Sequence, residues 1–112
     1  MNGMLDCNYK KLVRDKIPEI IEENDGTKPH TQVVTGIEYR TALIEKLVEE
    51  AKELQEATTE DELLEEFADV LEVIDALSKT LDTDKTKQIQ IKKRAERGGF
   101  DRGAILVQEK DV

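Results

Sequence analysis

LIEKLVEEAKELQEATTEDELLEEFADVLEVIDALSKTL, from Leu43 to Leu81, reads as two amphipathic helices with a turn between them. With Tyr39 just upstream, Leu43, Leu47, Leu54 and Ala57 fall on one helical stripe. Beyond the turn, Leu63, Phe67, Val70, Ile74, Leu77 and Leu81 form a second stripe, widened by Val73. Thr59 and Glu62 make a capping box that opens the later helix, from Glu60 to about Thr80. Thr35 and Glu38 make another for the earlier one, which continues to about Ala57. So short a link makes the two helices antiparallel neighbours.

Upstream of this pair, Asp15 is the expected N-cap of a first helix reaching Asn24, with Pro18 in the first turn. Ile17, Ile20 and Ile21 give that helix an apolar face, and Gly26 ends it. Lys28-Pro29-His30 is a loop, and Thr31–Thr35, with Val33-Val34, is a short strand candidate. Downstream, Asp82-Thr83-Asp84 turns into a fourth helix, Asp84 to Arg97, closed by Gly98-Gly99. The apolar run Ala104–Gln108 could pair with Val33-Val34. The expected architecture is all-α, a small antiparallel helical bundle with at most two short accessory strands. Residues 9–108 form a single domain, and Met1–Asn8 are a loose start.

A chain of 112 residues supports one modest core, and with 4% aromatics and no Trp that core rests on Leu, Ile, Val and Ala. Such thin bundles often complete their burial by oligomerising. The lone Cys7 has no disulfide partner and no metal-spaced companion, and no apolar run is long enough for a signal peptide or a membrane span. A soluble, cytoplasmic protein is expected. The net charge of −9 argues against binding a nucleic-acid polymer. The charge is also uneven. From Glu45 to Asp75 the only bases among many acids are Lys46 and Lys52, whereas Asp84–Arg102 is dominated by Lys and Arg. An acidic middle and a basic tail suit a metal site beside an anionic ligand; solvated faces of mixed charge are the bland alternative.

The acids fall in unusual places. Glu50 fills the gap in the first stripe between Leu47 and Leu54, and Glu53 lies roughly 60° to one side of it. Glu66 sits between the directions of Val70 and Val73, with Asp69 at the edge of that sector. Two antiparallel helices thus each aim an i, i+3 pair of carboxylates at one seam. Unpaired carboxylates there repel or protonate, and a divalent cation removes the problem. Hard oxygen ligands without nearby Cys or His suit Mg²⁺ or Mn²⁺ rather than zinc. The competing reading has these acids reach solvent or pair with Lys46 and Lys52.

At these residues the sequence resembles a known family. Glu49-Glu50-Ala51-Lys52-Glu53 followed by Glu66-Phe67-Ala68-Asp69 is similar to the paired acidic motif of the all-α nucleoside triphosphate pyrophosphohydrolases. That superfamily includes the MazG-like enzymes, phosphoribosyl-ATP pyrophosphohydrolase and the dimeric dUTPases. Tyr9–Pro18 and Lys93–Phe100 resemble the ends of a phosphoribosyl-ATP pyrophosphohydrolase-like subgroup of MazG-like proteins, so the likeness extends from about Tyr9 to Val107.

The resemblance implies that Glu50, Glu53, Glu66 and Asp69 hold Mg²⁺, and that Glu49 matches an acid acting as outer ligand or water-orienting group. It implies cleavage of an NTP or dNTP to monophosphate and pyrophosphate by a metal-activated water, positioned by Glu49 or Glu53. Lys93 and Arg97, i and i+4 on the fourth helix, resemble a phosphate-contacting pair. Lys11 and Arg14 could also reach an anion, although a structural pairing of Arg14 or Asp15 is as good a reading. The expected partners are a nucleotide and a second copy, as a homodimer or dimer of dimers, with no membrane. The alternatives are phosphoribosyl-ATP hydrolysis and a non-catalytic helical module binding metal or nucleotide. His30 is read as structural, Tyr39 and Phe67 as members of the core stripes, and Cys7 has no neighbouring base or helix terminus to make it a nucleophile.

Overall fold

The computed structural model describes residues 11–108, and the earlier readings of Met1–Asn8, Cys7 and Tyr9 fall outside that range. Among the described residues four α-helices follow in order: α1 (Ile17–Asp25), α2 (Gly36–Glu56), α3 (Glu60–Ser78) and α4 (Thr83–Arg97). None is long and apolar enough to cross a membrane. The chain divides between Thr80 and Leu81 into two compact units.

In the first unit α2 and α3 pack against each other along their length. Their seam buries Leu43, Val70, Val73 and one charged residue, Glu50. Both ends of the hairpin are fastened. At the turn, the Thr59 hydroxyl accepts from the Glu62 amide at 3.1 Å, and the Glu62 carboxylate accepts from the Thr58 amide at 2.9 Å and hydroxyl at 3.0 Å. The reciprocal cap therefore forms one residue wider than the expected box, and these bonds, led by the Thr58 amide, hold the Glu62 carboxyl below its usual range. At the open end Arg40 of α2 donates to the Thr80 hydroxyl at 3.2 Å and to the Thr80 carbonyl. A guanidinium thereby meets the carbonyl end of α3, where the helix dipole favours it.

Several local expectations are corrected. The Thr35 side chain makes no cap bond. Gly36 enters α2 with φ +61°, a left-handed step that departs from the geometry presenting an N-cap hydroxyl to the third helical amide. Asp15 is not the cap of α1; Lys16 holds that position, and the Ile17 amide instead bonds to the Arg14 carbonyl at 3.0 Å. Gly26 ends α1 as expected, with φ 74° and its amide on the Glu22 carbonyl.

Neither Thr31–Thr35 nor Ala104–Gln108 is a strand. Val33 is 88% exposed and Leu106 fully so, and a short β-branched run without a hydrogen-bonded neighbour has no ladder to hold it extended. Phe67, placed in the core stripe, is 50% exposed. A two-helix hairpin buries a narrow seam, which runs through Val70 and Val73 and leaves the rim of the wide apolar sector open.

The second unit contains α4. Asp82 caps it, accepting from the Lys85 amide at 3.0 Å, and the Gly98 amide closes it on the Arg94 carbonyl at 2.8 Å. No residue of α4 is buried.

Candidate functional site

Three glutamates converge where α2 and α3 face each other. Glu50 and Glu53, one helical turn apart, come from α2, and Glu66 comes from α3. One carboxylate oxygen of each lies within 4.8 Å of those of the other two. Burial grades across the group: Glu50 is buried, Glu66 half-buried and Glu53 exposed. The site thus opens to solvent on the Glu53 side, where a depression of about 350 Å³ is lined by Glu53, Glu56, Ala57, Glu62 and Glu66.

The three acids are not equivalent. Glu50 has a local cation, the Lys46 ammonium at 3.2 Å, one turn earlier on α2. The same ammonium lies 3.2 Å from Glu49, which Lys11 also meets at 3.2 Å. Partial desolvation pushes the Glu49 carboxyl up, but the two ammoniums outweigh it and hold Glu49 below the usual carboxylate range. Glu66 has the opposite balance. Desolvation, then the charges of Glu53, Asp69 and Glu50, raise its carboxyl above the ordinary value, and a hydrogen bond with Glu53 acts in the same direction. One oxygen is unsatisfied: Glu66 Oε1 is buried and has no hydrogen-bond partner among the described residues. A buried acceptor without a donor is costly, and here it sits among like charges.

Asp69 is placed differently. Its Oδ1 accepts from the Arg14 guanidinium at 2.7 Å, so the fourth expected ligand is held by the segment before α1. Its charge still raises Glu66, but Asp69 does not join the three-oxygen cluster. Of the bases expected at phosphate, Lys11 and Arg14 are therefore engaged with acids of the α2–α3 pair. Lys93 and Arg97 lie exposed on α4, in the second unit. Arg94 pairs with Asp101 at 3.3 Å, and its guanidinium folds over Gly99, where a Cβ would collide with it. Gly99 thus makes room for that fold, while Gly98 ends the helix. Glu56 is an acid of the depression that the sequence reading passed over; its i+3 spacing from Glu53 was the available signal.

An all-carboxylate donor set with one orphaned oxygen is chemically suited to a hard divalent cation such as Mg²⁺ or Mn²⁺, and offers nothing that favours zinc. Glu50, Glu53 and Glu66 are the residues positioned to hold it.

No family model matches the chain, and no solved structure matches it. A protein of Mycolicibacterium smegmatis described as uncharacterized is 46% identical over 55 residues, which is 49% of this chain and 55% of that protein. The chain thus matches about half the length of this relative.

Proposed function

We propose that the chain is a Mg²⁺-dependent nucleoside triphosphate pyrophosphohydrolase of the all-α, MazG-like kind, releasing a monophosphate and pyrophosphate from an NTP or dNTP. The observation that carries the reading is the convergence of Glu50, Glu53 and Glu66, with the buried Oε1 of Glu66 lacking any protein donor. The paired acidic motif that contains these residues, and its likeness to that superfamily, supply the reaction class. When bound, the cation would neutralise phosphate charge and lower the pKa of a bound water.

The protein's own groups divide the remaining work. Glu50, buried, and Glu66, half-buried, would serve as ligands together with Glu53. Glu53, exposed at the mouth, is the acid best placed to orient a water and accept its proton. Glu49 is a poorer base, because Lys11 and Lys46 hold it ionised and occupied; its role is to position those ammoniums. Asp69 becomes a fourth ligand if Arg14 exchanges it for a phosphate oxygen, a bidentate acceptor that guanidinium suits well. Lys93 and Arg97 are the further candidates for phosphate.

The test is pyrophosphate release from a panel of canonical, damaged and phosphoribosylated nucleotides with Mg²⁺, alongside Glu53→Gln and Arg97→Ala. Turnover that Glu53→Gln abolishes and Arg97→Ala lowers in kcat/KM is expected. Release by neither Mg²⁺ nor Mn²⁺ on any nucleotide sinks the catalytic reading. Near-normal kcat/KM in a destabilised Arg97→Ala removes Arg97 from it.

A further inference from the structure

Lys11 and Arg14 lie three residues apart in the non-helical stretch before α1, and they meet acids on different helices. Lys11 reaches Glu49 of α2 at 3.2 Å, and Arg14 reaches Asp69 of α3 at 2.7 Å. Three residues of extended chain span about 10 Å, close to the separation of two packed helix axes. The segment therefore crosses the α2–α3 seam as a strap, to one side of the three-glutamate cluster. Glu49 precedes Glu50 on α2 and Asp69 follows Glu66 on the antiparallel α3, so both stand farther from the 57–59 turn than their neighbours. The depression lined by Glu53, Glu56 and Glu62 lies towards the turn, on the other side.

The strap is weakly held. Both ion pairs are partly exposed, Lys11 and Glu49 at 42% and 36% and Arg14 and Asp69 at 56% and 39%. Pairs of this kind are screened by salt and contribute little. The helix that follows, α1, buries no residue, and Leu12, Ile17 and Pro18 are only half-buried. Lys46 differs, being 17% exposed and anchored on α2 itself, one turn from Glu50. It stays beside its acids whatever the strap does.

We propose that the strap is a displaceable internal counter-ion, seated on Glu49 and Asp69 in the metal-free chain and released when Glu50, Glu53 and Glu66 take a divalent cation. With the strap seated, Lys11, Arg14 and Lys46 stand against Glu49, Glu50, Glu53, Glu66 and Asp69, a formal excess of two negative charges; with it lifted the excess is four. The lifted state therefore binds a cation more tightly, and by linkage the cation weakens the strap by the same factor. Lifting also frees Asp69 to face the cluster and leaves Lys11 and Arg14 open to an anion, so these bases become available only once the cluster is filled. The coupling presupposes the proposed cation centre but not the hydrolysis of any nucleotide.

Hydrogen exchange read by mass spectrometry on the full chain, in EDTA and at saturating Mg²⁺, follows both sides of the coupling. A bound ligand ordinarily slows exchange, and residues 47–70 should slow. Peptides covering 12–17, where the Ile17 amide bonds to the Arg14 carbonyl at 3.0 Å, should instead exchange at least about threefold faster with Mg²⁺. Arg14→Gln should show that fast exchange already in EDTA and bind Mg²⁺ about three- to tenfold more tightly by calorimetry. Lys52→Gln removes one exposed base of α2 outside the strap and should change the affinity by less than about twofold. Unchanged or slower exchange at 12–17 while 47–70 slows overturns the strap and leaves the cation centre standing. That wild-type comparison decides even if Arg14→Gln fails to fold. Equal tightening in Lys52→Gln assigns the gain to net charge and overturns the coupling. If Mg²⁺ slows 47–70 in neither the wild type nor Arg14→Gln, the cation centre falls and the strap with it.

Discussion

Replacing Glu50 by Gln separates its pairing with Lys46 from its proposed role as a metal ligand. The amide keeps the shape of the side chain but removes the charge that Lys46 meets at 3.2 Å in a site only 7% exposed. Breaking a buried ion pair from one side costs about 3–5 kcal/mol when the partner is left alone. Lys46 is not left alone, since Glu49 also lies 3.2 Å from it, so a metal-free loss of about 1–2 kcal/mol is expected. On a chain of this size that lowers Tm by roughly 4–10 °C. The second effect is on metal. If the cluster holds Mg²⁺ as proposed, the wild type should gain RT ln 11, or about 1.4 kcal/mol, at ten times its Kd, a rise of roughly 6 °C. Glu50→Gln forfeits one of three anionic oxygens and should gain less than about 0.4 kcal/mol at the same concentration. Melting both proteins by circular dichroism, in EDTA and across a Mg²⁺ series, reads both effects. If the variant melts with the wild type in EDTA, or gains as much from Mg²⁺, the reasoning about this centre is wrong.

Two shorter predictions concern the residues around it. Glu66 is raised above its ordinary value by desolvation and by its acidic neighbours, so its neutral form is favoured in the fold. Its contribution is full below the unfolded value of 4.5 and is lost as pH rises through the raised folded value, so metal-free Glu66→Gln should gain Tm over the wild type at pH 7 and lose that advantage near pH 4. A variant less stable than wild type at pH 7 in EDTA would contradict this. Thr59→Ala removes the cap on the Glu62 amide and should cost about 1 kcal/mol in urea unfolding, with the m-value unchanged.

The helices and the three-glutamate cluster were legible because they rest on local periodicity. Leu47, Glu50 and Leu54 share one line of α2 whatever the rest of the chain does, and a three-residue connection leaves α3 one place to go. Lys46 beside Glu50 was equally readable from its i, i+4 spacing. What lay beyond reach was set by contacts distant in sequence. Nothing near Asp69 signals that Arg14, 55 residues earlier, accommodates its charge. Phe67 was misplaced for a different reason: a wheel gives the width of the apolar sector but not how much of it one neighbouring helix can cover. Val33 and Leu106 show the corresponding limit for strands, since β propensity describes a surface awaiting a partner and names none.

The three acids lie within 17 residues of one another in the chain, on the two helices whose mutual packing buries the core. Contacts of such short range close early, so this hairpin is the natural place for folding to begin. The nucleus therefore has to bring mutually repelling carboxylates together before most of the native burial is in place. A cation that relieves that repulsion acts on the barrier as well as on the finished structure. Mg²⁺ should consequently lift the refolding limb of a stopped-flow chevron, rather than merely depress the unfolding limb as a ligand captured after folding would.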